Sequence, residues 1–93
     1  MRQDALFRIY SMSKPIVSVA LMTLYEEGRF SLNDPVSKFI PAFAKTKVYA
    51  GSAPLGLTLV DQNPAMTLHH LLTHTAGMTY GWFFDSPVEA LYR

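Results

Sequence analysis

A mostly apolar stretch without charge runs from Pro15 to Tyr25 and predicts the longest element of the chain. Proline suits the first turn of a helix, where its missing N–H costs no hydrogen bond, and Gly28 suits the position just after a helix end. The apolar positions cover almost the whole circumference of a helix, which is typical of a helix buried on every side. We therefore predict a core helix from about Lys14 to Glu27. To bury it on every side takes several covering elements, and the rest of the chain offers few, so apolar surface of this helix is expected to stay exposed in the isolated chain.

Shorter patterns follow this helix. Apolar residues at helical spacing predict a short helix near Val36–Phe39, and Pro41 is expected to end it. Residues 44–66 contain several glycines and prolines and are expected to form a loop. Within that loop, the apolar and β-branched residues at 57–60 indicate a short strand.

Two further helix starts are visible towards the end of the sequence. Thr67 is a typical N-cap residue for a helix over Leu68–Thr73, which Gly77 is expected to stop. Ser86 and Glu89 have the spacing of a capping box and indicate the start of another helix.

Composition limits the kind of protein this is. The 93 residues, 49% apolar and 16% charged, are enough for at most one small globular domain. A net charge of +1 with no basic cluster argues against a nucleic-acid partner. The longest apolar stretch is about half of the ~20 residues that a membrane span needs, and the first ten residues show no signal-peptide pattern.

Ser11 and Lys14 stand three positions apart at the start of the predicted helix. Residues at this spacing lie on one side of a helix, with Cβ atoms roughly 5–6 Å apart. A serine hydroxyl needs a base beside it to act as a nucleophile, and an unprotonated lysine amine can be that base. The N-terminus of a helix also favours the negative charge that develops in acyl transfer. The pattern indicates a candidate acylation site.

A structural interpretation of the same residues stays open on spacing alone. Serine is a common N-cap, so Ser11 or Ser13 could satisfy an N–H group at the helix start. Lys14 would then be a solvated charge in the first turn. For a Ser-x-x-Lys match taken by itself, this is the more common outcome.

Longer segments carry a family resemblance. The stretch FRIYSMSKPIVSVALMTLYEEGRFSLNDPVSKFIPAF resembles the nucleophile segment of the serine β-lactamase-like hydrolases, which include class C β-lactamases, D-alanyl-D-alanine carboxypeptidases and related esterases. MTLHHLLTHTAGMTYG is similar to that family's Leu-Leu-Thr-His-Thr-Ser-Gly-Leu segment, with Ala76 and Met78 as departures. The KVYAG and GWFFDSPVEALYR stretches look most like the esterase branch.

The resemblance implies an α+β fold of the β-lactamase/transpeptidase type for the full-length family. Residues 1–93 would form a partial domain of that fold, mainly helical with little strand. Ser11 would be the acylated nucleophile and half of the oxyanion hole through its N–H, and Lys14 would share its proton. The implied activity is serine hydrolysis of small-molecule esters or β-lactams through an acyl-enzyme, with no cofactor.

Parts of the family pattern do not occur in these 93 residues. There is no Tyr-x-Asn motif, which supplies the family's assisting tyrosine. There is also no Lys-Thr-Gly or His-x-Gly motif, which supplies the second oxyanion donor. We therefore expect the isolated chain to be inactive. A non-catalytic truncated or ligand-binding relative and a D-Ala-D-Ala carboxypeptidase-type peptidase stay open as alternatives.

His70 and His74 are four residues apart, a spacing that can place two imidazoles on one metal ion. The glutamate of a His-Glu-x-x-His motif is replaced by Leu71, and no third ligand stands out. We predict structural histidines near a helix end and no metal site.

An aromatic cluster follows Gly77 and consists of Tyr80, Trp82, Phe83 and Phe84. In a full-length relative it could line a substrate pocket. Packing in a core or domain contact is the simpler interpretation, because aromatic side chains bury large apolar areas.

Overall fold

The computed structural model describes residues 1–53, 56–80 and 88. The chain divides into two compact units, Met1–Ser31 and Leu32–Arg93. Helix and strand both occur in the described residues, as the predicted α+β class requires.

The first unit contains helix α1, Ser13–Glu26, and the second contains helix α2, Leu68–Leu72. The second unit also contains a two-stranded antiparallel sheet of β1, Lys47–Ala53, and β2, Gly56–Asp61. Short 3₁₀ helices accompany these elements at Tyr10–Met12, Val36–Lys38 and Pro41–Lys45. Within the described part of the chain, no helix is long and apolar enough to cross a membrane.

Helix α1 has the predicted limits to within a residue. It ends in a Schellman motif, in which the Gly28 N–H donates to the Tyr25 carbonyl at 2.9 Å and the Arg29 N–H donates to the Leu24 carbonyl at 3.1 Å. Gly28 has a φ of +73°, a left-handed conformation that glycine adopts without strain. The predicted helix stop at Gly28 is confirmed.

Helix α1 is not buried on every side, although its apolar pattern is typical of such a helix. No residue of α1 is fully buried, and Ile16, Val17 and Val19 are 61%, 66% and 65% exposed. Helix limits depend on local sequence, whereas burial depends on other elements that cover the helix. Nothing within the first unit, Met1–Ser31, covers these three side chains.

The hairpin corrects the expected loop over residues 44–66. The strand predicted at 57–60 is confirmed as part of β2, but residues 47–53 pair with it as β1. The register pairs Lys47 with Asp61, Val48 with Val60 and Tyr49 with Leu59. A bulge follows, and Gly51 beyond it has a φ of +136°, a conformation that suits glycine. The glycine that suggested a loop is therefore accommodated inside a strand.

The short helix predicted near Val36–Phe39 is a 3₁₀ helix, Val36–Lys38. From the sequence, Pro41 is expected to end the regular structure. Instead, it begins the 3₁₀ helix Pro41–Lys45. The fixed φ of proline suits a first helical position, which explains the correction.

Segment 32–36 is joined to the start of α2 by backbone hydrogen bonds. The Val36 N–H donates to the Met66 carbonyl at 2.8 Å, and the His69 N–H donates to the Leu32 carbonyl at 2.9 Å. The Val36 side chain is only 3% exposed. These contacts hold the first turn of α2 in place.

Gln62 connects three backbone groups with one side chain. Its Nε2 donates to the carbonyl oxygens of Phe43 and Thr46 at 2.7 and 3.1 Å, and its Oε1 accepts from the Met66 N–H at 2.9 Å. The side chain thereby links the end of the 3₁₀ helix Pro41–Lys45 to the residues that precede α2.

Candidate active site

Ser11 and Lys14 lie at the junction of the first 3₁₀ helix and α1. Lys14 Nζ donates a hydrogen bond to Ser11 Oγ over 3.0 Å. A neutral amine at the same distance can instead accept the hydroxyl proton, which is the geometry that a serine and its base require. The structure thus brings together the two residues that the sequence singles out.

Neither serine at this junction caps the helix. The residue at the N-cap position of α1 is Met12, and no side-chain hydrogen bond caps it. The preceding 3₁₀ helix likewise has no side-chain cap. The interpretation of Ser11 or Ser13 as an N-cap is therefore wrong, because the contact of Ser11 Oγ is with Lys14.

Tyr10, the residue before Ser11, has a φ of +47°. For a residue with a side chain, the left-handed region costs about 1–2 kcal/mol, since Cβ approaches a carbonyl oxygen. The turn around it is closed by a hydrogen bond of 3.0 Å from the Met12 N–H to the Ile9 carbonyl. Ser11 is thus reached through a strained turn.

The side chains of Ser11 and Lys14 are exposed in this chain. Water next to an amine stabilises its charged form, and burial favours the neutral form that accepts a proton. The arrangement therefore supplies the distance that a serine and a base need, while both side chains remain exposed to water.

His70 participates in the capping of α2. The Thr67 hydroxyl accepts from the His70 N–H at 3.3 Å, and His70 Nδ1 accepts from the Thr67 N–H at 3.0 Å. This reciprocal pair is a capping box with an imidazole in place of the usual glutamate or glutamine. The predicted N-cap role of Thr67 is confirmed.

His74 ends α2 in a left-handed conformation, with a φ of +59°. The Thr75 N–H donates to the His70 carbonyl at 2.9 Å and the His74 N–H to the Leu71 carbonyl at 3.4 Å, which is the pattern of a Schellman motif. The Thr73 hydroxyl adds a bond of 2.8 Å to the His69 carbonyl. The Leu-Leu-Thr-His-Thr segment is therefore a helix end, several residues before the helix stop expected at Gly77.

Both histidines that could suggest a metal site thus have structural surroundings at the two ends of α2. Among the residues that the structure describes, no three His, Cys, Asp or Glu side chains are grouped so that they could hold a metal ion.

The chain that has this geometry also matches a known protein family. The family model described as Beta-lactamase matches residues 1–93. The chain belongs to the beta-lactamase family. The resemblance based on the Ser-x-x-Lys and Leu-Leu-Thr-His-Thr segments is confirmed.

Individual members of the family are similar over most of the chain. Protein Rv1367c of Mycobacterium tuberculosis (strain ATCC 25618 / H37Rv) is 38% identical over 94 residues, which cover 100% of this chain and 23% of that protein. Esterase EstB of Burkholderia gladioli is 40% identical over 85 residues, covering 91% of this chain and 19% of the esterase. The D-alanyl-D-alanine-carboxypeptidase/endopeptidase AmpH of Escherichia coli (strain K12) is 33% identical over 75 residues, which cover 81% of this chain and 16% of AmpH.

The chain spans only 19–23% of the length of the first curated relatives that it matches. The names of an esterase and a carboxypeptidase among these relatives indicate a family of serine hydrolase type.

The aromatic cluster of this beta-lactamase family member lies mostly outside the described residues. Tyr80 is described and is exposed. Trp82, Phe83, Phe84 and the helix start predicted at Ser86 fall outside the part of the chain that the structure describes.

Two features of the site region are absent from the predictions made from the sequence. The spacing of Thr67 and His70 carries the signal of a capping box, which is overlooked because imidazole is an unusual acceptor at that position. The left-handed backbone of Tyr10 has no sequence signal, because such positions are typical of glycine, asparagine and aspartate.

Proposed function

We propose that Ser11 and Lys14 are the nucleophile and general base of a serine hydrolase that acts on small-molecule esters or β-lactams. On this proposal, residues 1–93 are the nucleophile-bearing part of a beta-lactamase-like domain. The observation that carries the proposal is the 3.0 Å contact between Lys14 Nζ and Ser11 Oγ, made by a serine that does not cap the helix.

The reaction begins with transfer of the Ser11 hydroxyl proton to the unprotonated Lys14 amine. Ser11 Oγ attacks the carbonyl carbon, and the negative charge on the carbonyl oxygen is stabilised by N–H donors, of which the Ser11 N–H is one. Lys14 returns the proton to the leaving group, which leaves an acyl group on Ser11. Water then attacks the acyl carbon, and Ser11 regains its proton as the acid departs.

The choice of esters or β-lactams rests on the family and on the 40% identity to Esterase EstB. The similarity to AmpH keeps a D-Ala-D-Ala carboxypeptidase-type peptidase as the alternative substrate class. All three substrates would form the acyl-enzyme at Ser11 and differ in the leaving group that Lys14 protonates. It is an alcohol for an ester, a free amine for a peptide, and for a β-lactam the ring nitrogen, which stays attached to the acyl group.

Active-site labelling tests the nucleophile. The full-length protein, meaning the product of the whole reading frame that contains these 93 residues, is treated with a fluorophosphonate and with a fluorescent penicillin. We expect a covalent adduct on Ser11, located by peptide mass spectrometry, and no adduct in Ser11→Ala. Ser13→Ala is the matched control and should be labelled like the native protein. An adduct on Ser13 in the Ser11→Ala protein would contradict the proposal.

The isolated 93-residue chain tests the partial-domain proposal. Loss of one oxyanion donor alone costs about 10²–10³ in rate, and the motif that supplies it in the family does not occur here. We expect no turnover of p-nitrophenyl esters or nitrocefin above a Ser11→Ala control, together with broad unfolding or association through the apolar surface of α1. A monomer with a sharp unfolding transition and Ser11-dependent turnover would show that the chain is a sufficient enzyme.

The non-catalytic alternative has a supporting observation of its own. Ser11 and Lys14 are exposed, which suits a chain that retains the residues without the activity. Binding of a penicillin to the full-length protein without an adduct on Ser11 would favour this ligand-binding reading over the hydrolase.

A further inference from the structure

The backbone of Tyr10 is in a conformation that bulky residues rarely adopt. Its φ of +47° lies in the left-handed region, where a non-glycine residue is uncommon and a bulky one is an outlier. Such strain persists where the surrounding structure over-determines it, and it is concentrated at functional sites.

The other left-handed residues near helices have a structural explanation. Gly28 and His74 each follow a helix and accept the left-handed conformation as part of a Schellman motif. Tyr10 is the first residue of the 3₁₀ helix Tyr10–Met12, so no helix C-terminus accounts for its backbone. Its side chain is 76% exposed, so burial of the ring does not account for it either.

The turn at Tyr10 determines how the chain enters the Ser11 region. The Met12 N–H donates to the Ile9 carbonyl at 3.0 Å, and the Ser13 N–H donates to the carbonyls of Tyr10 and Ser11. These bonds fix both sides of Ser11, so the φ of Tyr10 sets the direction in which the Ser11 residue leaves the turn.

We infer that Tyr10 is a positioning residue, whose left-handed backbone holds Ser11 Oγ within hydrogen-bond distance of Lys14 Nζ. This inference rests on the proposed function of Ser11 as the nucleophile. It assigns the effect to the backbone of Tyr10 and not to its phenol group, so any residue that tolerates a positive φ should replace tyrosine.

Substitutions at position 10 separate the backbone from the ring. Tyr10→Gly and Tyr10→Asn tolerate a left-handed conformation, Tyr10→Phe keeps the ring without the hydroxyl, and Tyr10→Val strongly disfavours a positive φ. Tyr10→Thr is a second β-branched variant, which keeps the experiment decisive if Tyr10→Val does not fold. Each full-length variant is labelled with a fluorophosphonate, and its maximal labelling rate and half-saturating probe concentration are measured beside its melting temperature.

We expect Tyr10→Val to lower the maximal labelling rate by about 10²-fold, the usual scale for a misplaced reacting group, with the half-saturating concentration unchanged. Tyr10→Thr should lower it as well, because threonine is also β-branched. Tyr10→Gly, Tyr10→Asn and Tyr10→Phe should keep the native rate, even where their melting temperatures differ.

Two results would overturn the inference. One is a native labelling rate in Tyr10→Val or Tyr10→Thr. The other is a loss in Tyr10→Gly as large as that in Tyr10→Val, which would assign the effect to the ring. Failure of the proposed function has a different signature, namely native labelling of Ser11→Ala or no adduct on Ser11 in the native protein.

Discussion

Helix α2 begins with two reciprocal side-chain hydrogen bonds, whereas helix α1 begins without a side-chain cap. At α2, Thr67 and His70 satisfy each other's N–H groups. At α1, the polar side chains in the equivalent region are Ser11 and Lys14, and they bond to each other. The two starts therefore use the same three-residue spacing for different purposes.

The polar side chains at the two helix starts have different partners. Those at α2 cap the helix, whereas those at α1 bond to each other. A helix of five residues has few internal hydrogen bonds, so α2 depends on caps at both ends. Helix α1 is fourteen residues long and can leave its start uncapped. On the proposed function, this leaves the Ser11 hydroxyl free to act as the nucleophile, at a helix end whose N–H groups favour developing negative charge.

The largest expected effect breaks the pair at α1. Lys14→Ala in the full-length protein should slow acylation of Ser11 by at least about 10²-fold, the scale for losing a positioned base. Lys14→Arg should be equally slow, because a guanidinium does not give up its proton. Stopped-flow or gel-based labelling with a fluorophosphonate measures the rates, and Lys38→Ala is the matched control. Native labelling in Lys14→Arg would show that this lysine is not the base.

The next effect tests which serine or threonine stabilises its helix. Thr67→Ala should lower the free energy of unfolding by about 1 kcal/mol, the typical cost of losing an N-cap. Ser11→Ala should change it by less than about 0.5 kcal/mol, as for a surface substitution outside a cap. Urea denaturation of the two full-length variants gives their free energies of unfolding, with Thr67→Ser as the conservative control. Equal losses in both variants would mean that Ser11 also caps a helix.

Loss of the His70 imidazole should lower the free energy of unfolding by an amount similar to or smaller than loss of the Thr67 hydroxyl. His70→Ala removes the acceptor of the Thr67 N–H and should cost about 0.5–1.5 kcal/mol. His70→Gln places a usual capping-box acceptor at the same position and should keep most of the stability. Hydrogen exchange at the Thr67 amide reports the bond directly. Unchanged protection of that amide in His70→Ala would refute the assignment.

The smallest effect concerns the other end of α2. His74→Gly relieves the left-handed strain but adds the flexibility of glycine, so a net gain in unfolding free energy of about 0.5 kcal/mol is expected. His69→Gly, inside the same helix, should instead lose about 1 kcal/mol. A clear loss in His74→Gly, measured by thermal unfolding, would indicate that the imidazole itself makes a stabilising contact.

Features that depend on neighbouring residues could be predicted from the sequence. Pro15 and Gly28 mark the limits of α1, and Thr67 marks the start of α2. The contact between Ser11 and Lys14 follows from their spacing once the helix start is known.

Features that depend on distant residues could not be predicted from the sequence. Strand β1 exists because β2 provides its hydrogen-bonding partner, and a glycine such as Gly51 conceals the pattern of the strand. Which side chains of α1 are exposed, such as Ile16 and Val17, depends on the elements that cover the helix, which its own sequence does not state. The left-handed Tyr10 had no signal, because its conformation is imposed by the turn and not favoured by tyrosine.

The Gln62 amide makes the junction before α2 dependent on one chemical group. Its amide nitrogen serves the carbonyls of Phe43 and Thr46, and its oxygen serves the Met66 N–H. Deamidation would replace that nitrogen by a carboxylate oxygen, which cannot donate and repels both carbonyls. A slow hydrolysis that changes the mass by a single unit would therefore open the junction before α2 while leaving Ser11 and Lys14 untouched.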